Sequence, residues 1–319
     1  MTLVDAPARP DLSPKKPNRN RPSLRFRKEN RVAYLFLVPW LVGLALFVLG
    51  PMAASFYLSM TDYNFLQAPK FIALDNYVRM FTQDPRYLIS ARVTATYVLV
   101  SVPLQLGFAL MLALLLNRAI RGSALYRGIF YLPSLLGTSV AVAILWQQVF
   151  GQEGLLNTFL GFLGVDAHTS WVGNPDTALS TLVILNAWTF GSPMIIFLAG
   201  LRQVPMSLYE AADVDGAGPL RKFLSITLPL LSPIIFFNLI LQTIHAFQAF
   251  VPAYIISGGL GGPADSTLFY TLYLYQEGFG SFDMGYACAM AWTLLVAVGA
   301  VTALNFFISK YWVFYGDNS

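Results

Sequence analysis

Apolar residues run through this chain in six long blocks that contain no Asp, Glu, Lys or Arg: 32–60, 93–116, 128–150, 178–201, 223–256 and 287–309. A helix needs about 20 residues to cross roughly 30 Å of hydrocarbon, and every block reaches that length. All 20 basic and 16 acidic side chains fall between the blocks. Backbone groups in lipid must be satisfied inside a helix or a closed barrel. The blocks are too long and too continuously apolar for barrel strands. The pattern therefore predicts an all-α membrane protein with six transmembrane helices. Block 32–60 carries Pro39 and Pro51 and is expected to tilt or kink. Block 223–256 would be about 51 Å long as one helix and holds Pro229, Pro233 and Pro252. Its first part is expected to lie along the membrane interface and to turn near Pro233 into the true span.

Charge sets the orientation. Segments 1–31, 117–127, 202–222 and 310–319 together hold 16 Lys/Arg, whereas 61–92, 151–177 and 257–286 hold four. Basic loops stay in the cytoplasm, so both termini are expected inside and the three basic-poor loops outside. Segment 1–31 has five prolines and nine basic residues. It is expected to be a disordered basic tail beside anionic lipid, with a targeting role as the alternative. It does not read as a cleaved signal peptide, because the apolar block after it is too long. The predicted organisation is this tail, a six-helix domain over 32–309 and a short cytoplasmic tail over 310–319.

Composition sharpens the class. The chain is 56% apolar and 11% charged, with a mean hydropathy of +0.59, where soluble domains have roughly a quarter of their residues charged. This excludes a disordered chain, a nucleic-acid-binding module and a small disulfide scaffold. Cys288 is the one cysteine and can form no internal disulfide.

The usual chemistry-bearing motifs are missing. No G-x-x-x-x-G-K-[ST], H-E-x-x-H or G-x-S-x-G pattern occurs, and His168 and His245 are the only histidines. No catalytic constellation or metal site is expected, which argues against a membrane enzyme. No span holds a carboxylate or fixed cation. That weakens a proton-coupled carrier, which needs such a group near the midplane, and leaves open a sodium-coupled one that uses neutral oxygens.

The most informative stretch is RQVPMSLYEAADVDGAGPLRKFLSITLPLLSP, Arg202 to Pro233. Ser207 and Glu210 have capping-box spacing, Leu208 to Val214 would form about two turns, and Gly216 is placed to end the helix in the left-handed region. A helix this short is marginal alone and wants a partner surface, with Tyr209 and Leu208 as anchors and Ala211 and Ala212 allowing close approach. A plain surface connector is the alternative reading.

Glu210-Ala211-Ala212, Asp215-Gly216-Ala217 and Ile226-x-Leu228-Pro229, in that order, closely resemble the EAA signature of permease subunits of binding-protein-dependent ABC importers. The resemblance extends to AYLFLVPWLVGLALFVLGPMAASFYLSMTDY, LDNYVRMF, NRAIRGSALYRGIFYLPS and FLAGLRQVPMSLYEAADVDGAG, which look like the sugar-importer (maltose and glycerol-phosphate type) subfamily. It implies the type I importer permease fold in a bacterial plasma membrane. It also implies a non-catalytic chain paired with a second homologous permease, two cytoplasmic ATPase subunits that hold ATP and Mg, and an external solute-binding (lipo)protein. Loop 202–222 would be the coupling loop, with Tyr209, Glu210, Ala211, Ala212 and Asp215 in or beside the docked helix and Gly216 in its closing turn. The solute implied is a carbohydrate. A polyol phosphate through the same architecture, or a stand-alone secondary carrier, remains an alternative.

Sugars are held by neutral hydrogen-bonding groups and aromatic faces, so polar residues within spans are candidates for the path. Ser134 and Thr138 share a face at i, i+4. Trp188 and Ser192 do the same, with Asn186 nearby, and Gln242, His245 and Ala249 lie on one side of span five. By the resemblance to the solute-binding permease of maltose importers, the pocket set also takes in Thr189 and Ala246. The alternative for each is hydrogen-bonded glue between helices.

Overall fold

The computed structural model describes residues 24–117, 123–137, 139–165 and 169–314. Most of the predicted N-terminal tail, together with Thr138 and His168, lies outside the described residues. The chain forms two compact units, Met1–Ala54 and Ser55–Ser319.

In the first unit, α1 (Leu24–Leu44) begins inside the segment expected to be unstructured, because LRFRKEN is composed largely of good helix formers. It continues through Pro39 into a π turn, Ala45–Leu49, and then α2 (Gly50–Ser59). The Gly50 N–H bonds back to Ala45 O across that π turn, which absorbs the register change just before Pro51. Leu35, Phe36, Trp40, Leu46 and Phe47 are all exposed along this helix. That is the surface of a helix whose solvent is lipid.

The second unit begins within α2, at Ser55, and continues with β1 (Thr61–Asp62) paired to β2 (Lys70–Phe71). Then come α3 (Asp75–Thr82) and the long α4 (Pro85–Asn117). Helix α4 is the central post, packed along several later helices. Its buried stripe includes Ser90, Thr94, Ser101, Gln105, Ala109 and Ala113, while Leu99, Val100, Leu104, Met111 and Leu115 are exposed. Small and polar side chains lie on the inward face beside Tyr97, Val102 and Leu106, and the outward face is large and apolar, as expected where lipid covers the rest.

The next elements are α5 (Ser123–Leu136), α6 (Val140–Phe150), α7 (Leu155–Phe162), α8 (Pro175–Trp188), α9 (Gly191–Leu201), α10 (Met206–Val214) and α11 (Pro219–Lys222). A π turn, Phe223–Thr227, leads into α12 (Leu228–Phe247), followed by α13 (Val251–Ile256), α14 (Tyr270–Tyr275) and α15 (Met284–Ser309). Four stretches are long and apolar enough to cross a membrane alone: Tyr34–Ser59, Pro85–Asn117, Pro219–Ile256 and Met284–Ser309. The number rises to six if two bent pairs, Leu125–Leu136 with Val140–Phe162 and Pro175–Trp188 with Gly191–Leu201, each count as one span. The chain is a multi-pass membrane protein.

One expectation is corrected here. Block 223–256 does not turn at Pro233. Helix α12 is continuous through it, and the Pro229 carbonyl that Pro233 cannot serve accepts the Ser232 hydroxyl at 2.6 Å. The helix instead breaks beyond Phe247, before α13 begins at Val251.

Candidate functional site

A cavity of about 480 Å³ lies among α4, α5, the α8–α9 junction and the end of α12. Its geometry begins with one proline. Pro193 has no N–H to give the Thr189 carbonyl four residues earlier, so α8 and α9 part there and meet at 41°. The freed Thr189 carbonyl is taken by side chains of other helices: Ser134 Oγ donates to it at 2.7 Å and Gln105 Nε2 at 3.1 Å. Gln105 Nε2 also reaches Thr189 Oγ1 at 2.9 Å, and its Oε1 accepts from Asn186 Nδ2 at 3.4 Å. Ser134 Oγ in turn accepts the Ser192 N–H, a first-turn donor of α9, at 2.9 Å. Residue 191 must be glycine, since a Cβ there would lie 2.6 Å from Phe130 O and 2.8 Å from Tyr131 Cα.

Of the residues singled out from the sequence, Ser134, Asn186, Thr189, Ser192, Gln242, His245 and Ala249 line this cavity. Five of them divide into two groups. Ser134, Asn186 and Thr189 are engaged in the bonds that hold the α8–α9 break. The side chains of Gln242 and His245 make no hydrogen bond among the described residues and face the open space. Trp188 is not in the lining. Its ring packs against Trp146 with centroids 5.9 Å apart. Ala246 is buried away from the cavity. Tyr97, Gln105 and Gln248 line it and were missed. Gln105 had a signal, as the only amide in block 93–116. Gln248 continues the i, i+3 series of Gln242 and His245. Apart from His245 and the Tyr97 phenol, the lining side chains carry no titratable group. His245 and Gln248 are exposed, so this flank of the cavity is open in the single chain.

The EAA residues occupy α10. The predicted capping box does not form: the helix starts a residue or two earlier, at Met206, with Pro205 in the cap position and no side-chain cap bond. Proline is preset for the extended geometry just outside the helix, with φ −61° and ψ 130°, and leaves Ser207 inside the first turn. The far end matches expectation. Gly216 has φ +72°, its N–H bonds to Asp213 O, and the Ala217 N–H bonds to Ala212 O at 2.8 Å, the paired closure of a Schellman turn. No residue of α10 is buried, and Glu210, Ala211 and Asp215 are exposed while Tyr209 and Ala212 are half-buried. Met206, Leu208 and Val214 also lie open. The helix is tied to the body by Tyr209 OH against Thr227 Oγ1 at 2.8 Å and by a Lys222–Asp213 ion pair.

A polar cluster joins segments 61–92 and 257–286. Asp84 Oδ2 accepts two phenols, Tyr273 at 2.7 Å and Tyr286 at 2.5 Å. Arg79 pairs with Asp283 at 2.6 Å and Arg86 with Asp265 at 2.9 Å. Burial pushes the Asp84 carboxyl up, but the tyrosine hydroxyls and the N–H groups of Tyr87 and Arg86 outweigh it and hold it below the ordinary carboxylate range. Glu277 is pushed the other way by burial, with Asp283 and Asp84 adding to the rise against Tyr273 and Arg79.

An exposed, glycine-closed EAA helix beneath a broken-helix cavity defines the class, and residues 89–312 match the model of the binding-protein-dependent transport system inner membrane component. The chain belongs to that family. It is similar to the probable ABC transporter permease protein YesP of Bacillus subtilis (strain 168), 54% identical over 92% of this chain and 95% of that one. The trehalose/maltose transport system permease protein MalF of Thermococcus litoralis is 33% identical over 86% and 92% of the two chains. Among solved structures, a chain of a bacterial alginate ABC transporter, in complex with its alginate pentasaccharide-bound periplasmic protein, superposes with a TM-score of 0.76 at 22% identity, covering 90% of this chain and 96% of that one. The fold is that of an ABC transporter permease.

Proposed function

We propose that this chain is a non-catalytic permease subunit of an ABC importer that forms, with a second homologous permease, the membrane path for a carbohydrate. An external binding protein delivers the solute, and two cytoplasmic ATPase subunits, which bind the ATP and Mg, drive the cycle. The chain crosses a bacterial plasma membrane six times with both termini inside, in accord with the distribution of Lys and Arg. The observation that carries the reading is α10, a nine-residue helix with the EAA residues open to a partner and no buried side chain of its own.

The mechanism is an exchange between two states. Closure of the ATPase dimer draws the two docked helices together, the bundles rock, and access passes from the cytoplasm to the outside. The loaded binding protein favours the outward state, and hydrolysis resets it. Each of these can shift the equilibrium only by its differential affinity for the two states. The solute reading rests on the cavity: the Gln242 amide and other hydrogen-bonding side chains, with the Phe250 and Tyr97 rings nearby, suit hydroxyl-rich molecules.

The test is Glu210→Lys in the assembled transporter. The expected outcome is loss of ATPase co-purification and a fall in sugar uptake of at least tenfold, with membrane insertion intact. Unchanged assembly and uptake would remove α10 from the coupling role. Concentrative uptake by the purified chain alone would favour a stand-alone carrier.

A further inference from the structure

We propose that the Tyr209–Thr227 hydrogen bond is the joint through which displacement of α10 reaches the cavity wall. The proposal rests on the reading that α10 docks on an ATPase, and it assigns a positioning role to Thr227, a residue outside the docking helix.

Thr227 is only 5% exposed, so it cannot touch a partner chain. It is the last residue of the π turn Phe223–Thr227, where the Leu228 N–H reaches back five residues to Phe223 O. Single π turns are loosened points in a helical ladder and recur at functional sites. Pro229 follows at once and offers no N–H, so the ladder is weak on both sides of Thr227. From Leu228 onward α12 is continuous to Phe247 and carries Gln242 and His245, the cavity groups left unengaged. His245 lies 18 residues beyond Thr227, about 27 Å along a helix.

The body of the protein holds α10 at few points. Tyr209 is half-buried and its hydroxyl meets Thr227 Oγ1 at 2.8 Å, while Asp213 meets Lys222 just before the π turn. Both ties land at the root of α12. A pull on α10 is therefore delivered where the chain yields most easily, and the stiff segment above it turns as a lever. A third contact holds the base of that lever: Ser232 Oγ accepts the Phe314 N–H at 2.8 Å, so the segment after α15 meets α12 about one turn beyond the joint.

The test uses the complete transporter in lipid vesicles, with Cys288→Ser removing the native thiol and His245→Cys as a reporter. Maleimide labelling at position 245 is timed without nucleotide and with ATP plus vanadate. In this background ATP is expected to change the labelling rate about tenfold. Thr227→Val is expected to reduce that change to less than twofold while the ATPase stays bound and still hydrolyses ATP, and Thr227→Ser, which keeps the hydroxyl, is expected to restore it. Tyr209→Phe should lose the response to the same degree, and the double variant no further. A full response in Thr227→Val overturns the joint, and so does loss of the ATPase from that variant, because Thr227 would then support docking or folding. If the background transporter holds no ATPase or shows no response to ATP, the reading of α10 as the docking helix fails and the joint falls with it.

Discussion

Thr189 carries a carbonyl that its own helix cannot serve, and Gln105 is the side chain placed to answer it. Replacing Gln105 by Leu keeps the size and removes both donors, leaving the carbonyl to Ser134 alone. The expected outcome is a loss of about 0.5–1.5 kcal/mol, the usual net contribution of a hydrogen bond, seen as a lower thermal midpoint in detergent. Gln105 also marks what a sequence reading can and cannot find. The sequence reading misses it although it is the one amide in an apolar block; its partner lies 84 residues away, and no spacing rule reaches that far. Ser134 and Asn186 are candidates because sugars are held by neutral hydrogen-bonding groups, and Thr189 by the resemblance to maltose-importer permeases. Composition could not tell which of them face a solute and which hold a broken helix together. Trp188 falls outside the cavity because a helical face inferred by counting residues rotates when the helix bends or ends, and Ala246, taken from the resemblance, is buried on another side of α12.

At the level of elements, the contrast between Pro193 and Pro233 is instructive. Both interrupt an apolar run, yet α12 continues past Pro233 and α8 ends before Pro193. The carbonyl opposite Pro233 is served from inside the helix by Ser232, whereas the one opposite Pro193 is served from α4 and α5. Pro193→Ala restores a donor for Thr189 O. The expected result is a bend smaller than the present 41°, measured by spin-label distances between α8 and α9. The end of α10 was legible because Gly216 needs no tertiary partner to explain it. Its start was not, because Ser207 and Glu210 have the spacing of a cap that Pro205 pre-empts. Gly216→Val should cost about 1–2 kcal/mol in the left-handed region and speed hydrogen exchange at the Ala217 amide.

For the whole molecule, the blocks free of charge made the membrane class plain, since lipid penalises an unpaired ion wherever it falls. The cluster around Asp84 was not legible, because it joins segments that are distant along the chain and meet only in the fold. It gives unfolding a pH dependence of two signs. Asp84 has a lowered folded pKa, so its contribution is present above its unfolded value, about pH 4, and is lost as pH falls through the folded one. Glu277 has a raised folded pKa, so its contribution is complete below its unfolded value and is lost as pH rises through the folded one. Asp84→Asn should therefore flatten the acid limb of the stability curve. Glu277→Gln should raise the midpoint near about pH 7 and leave it unchanged near about pH 4. Thermal melts of the two variants across pH check both signs.

The flank of the cavity at His245 and Gln248 has a genetic corollary. A vessel with one wall missing acquires its shape only when a neighbour supplies the other; with the proposed second permease as that neighbour, preference for a cargo would be written across two loci. Strains selected to accept a new nutrient should acquire paired changes, one beside His245 and one in the companion gene, and each allele should be repaired by its own suppressor.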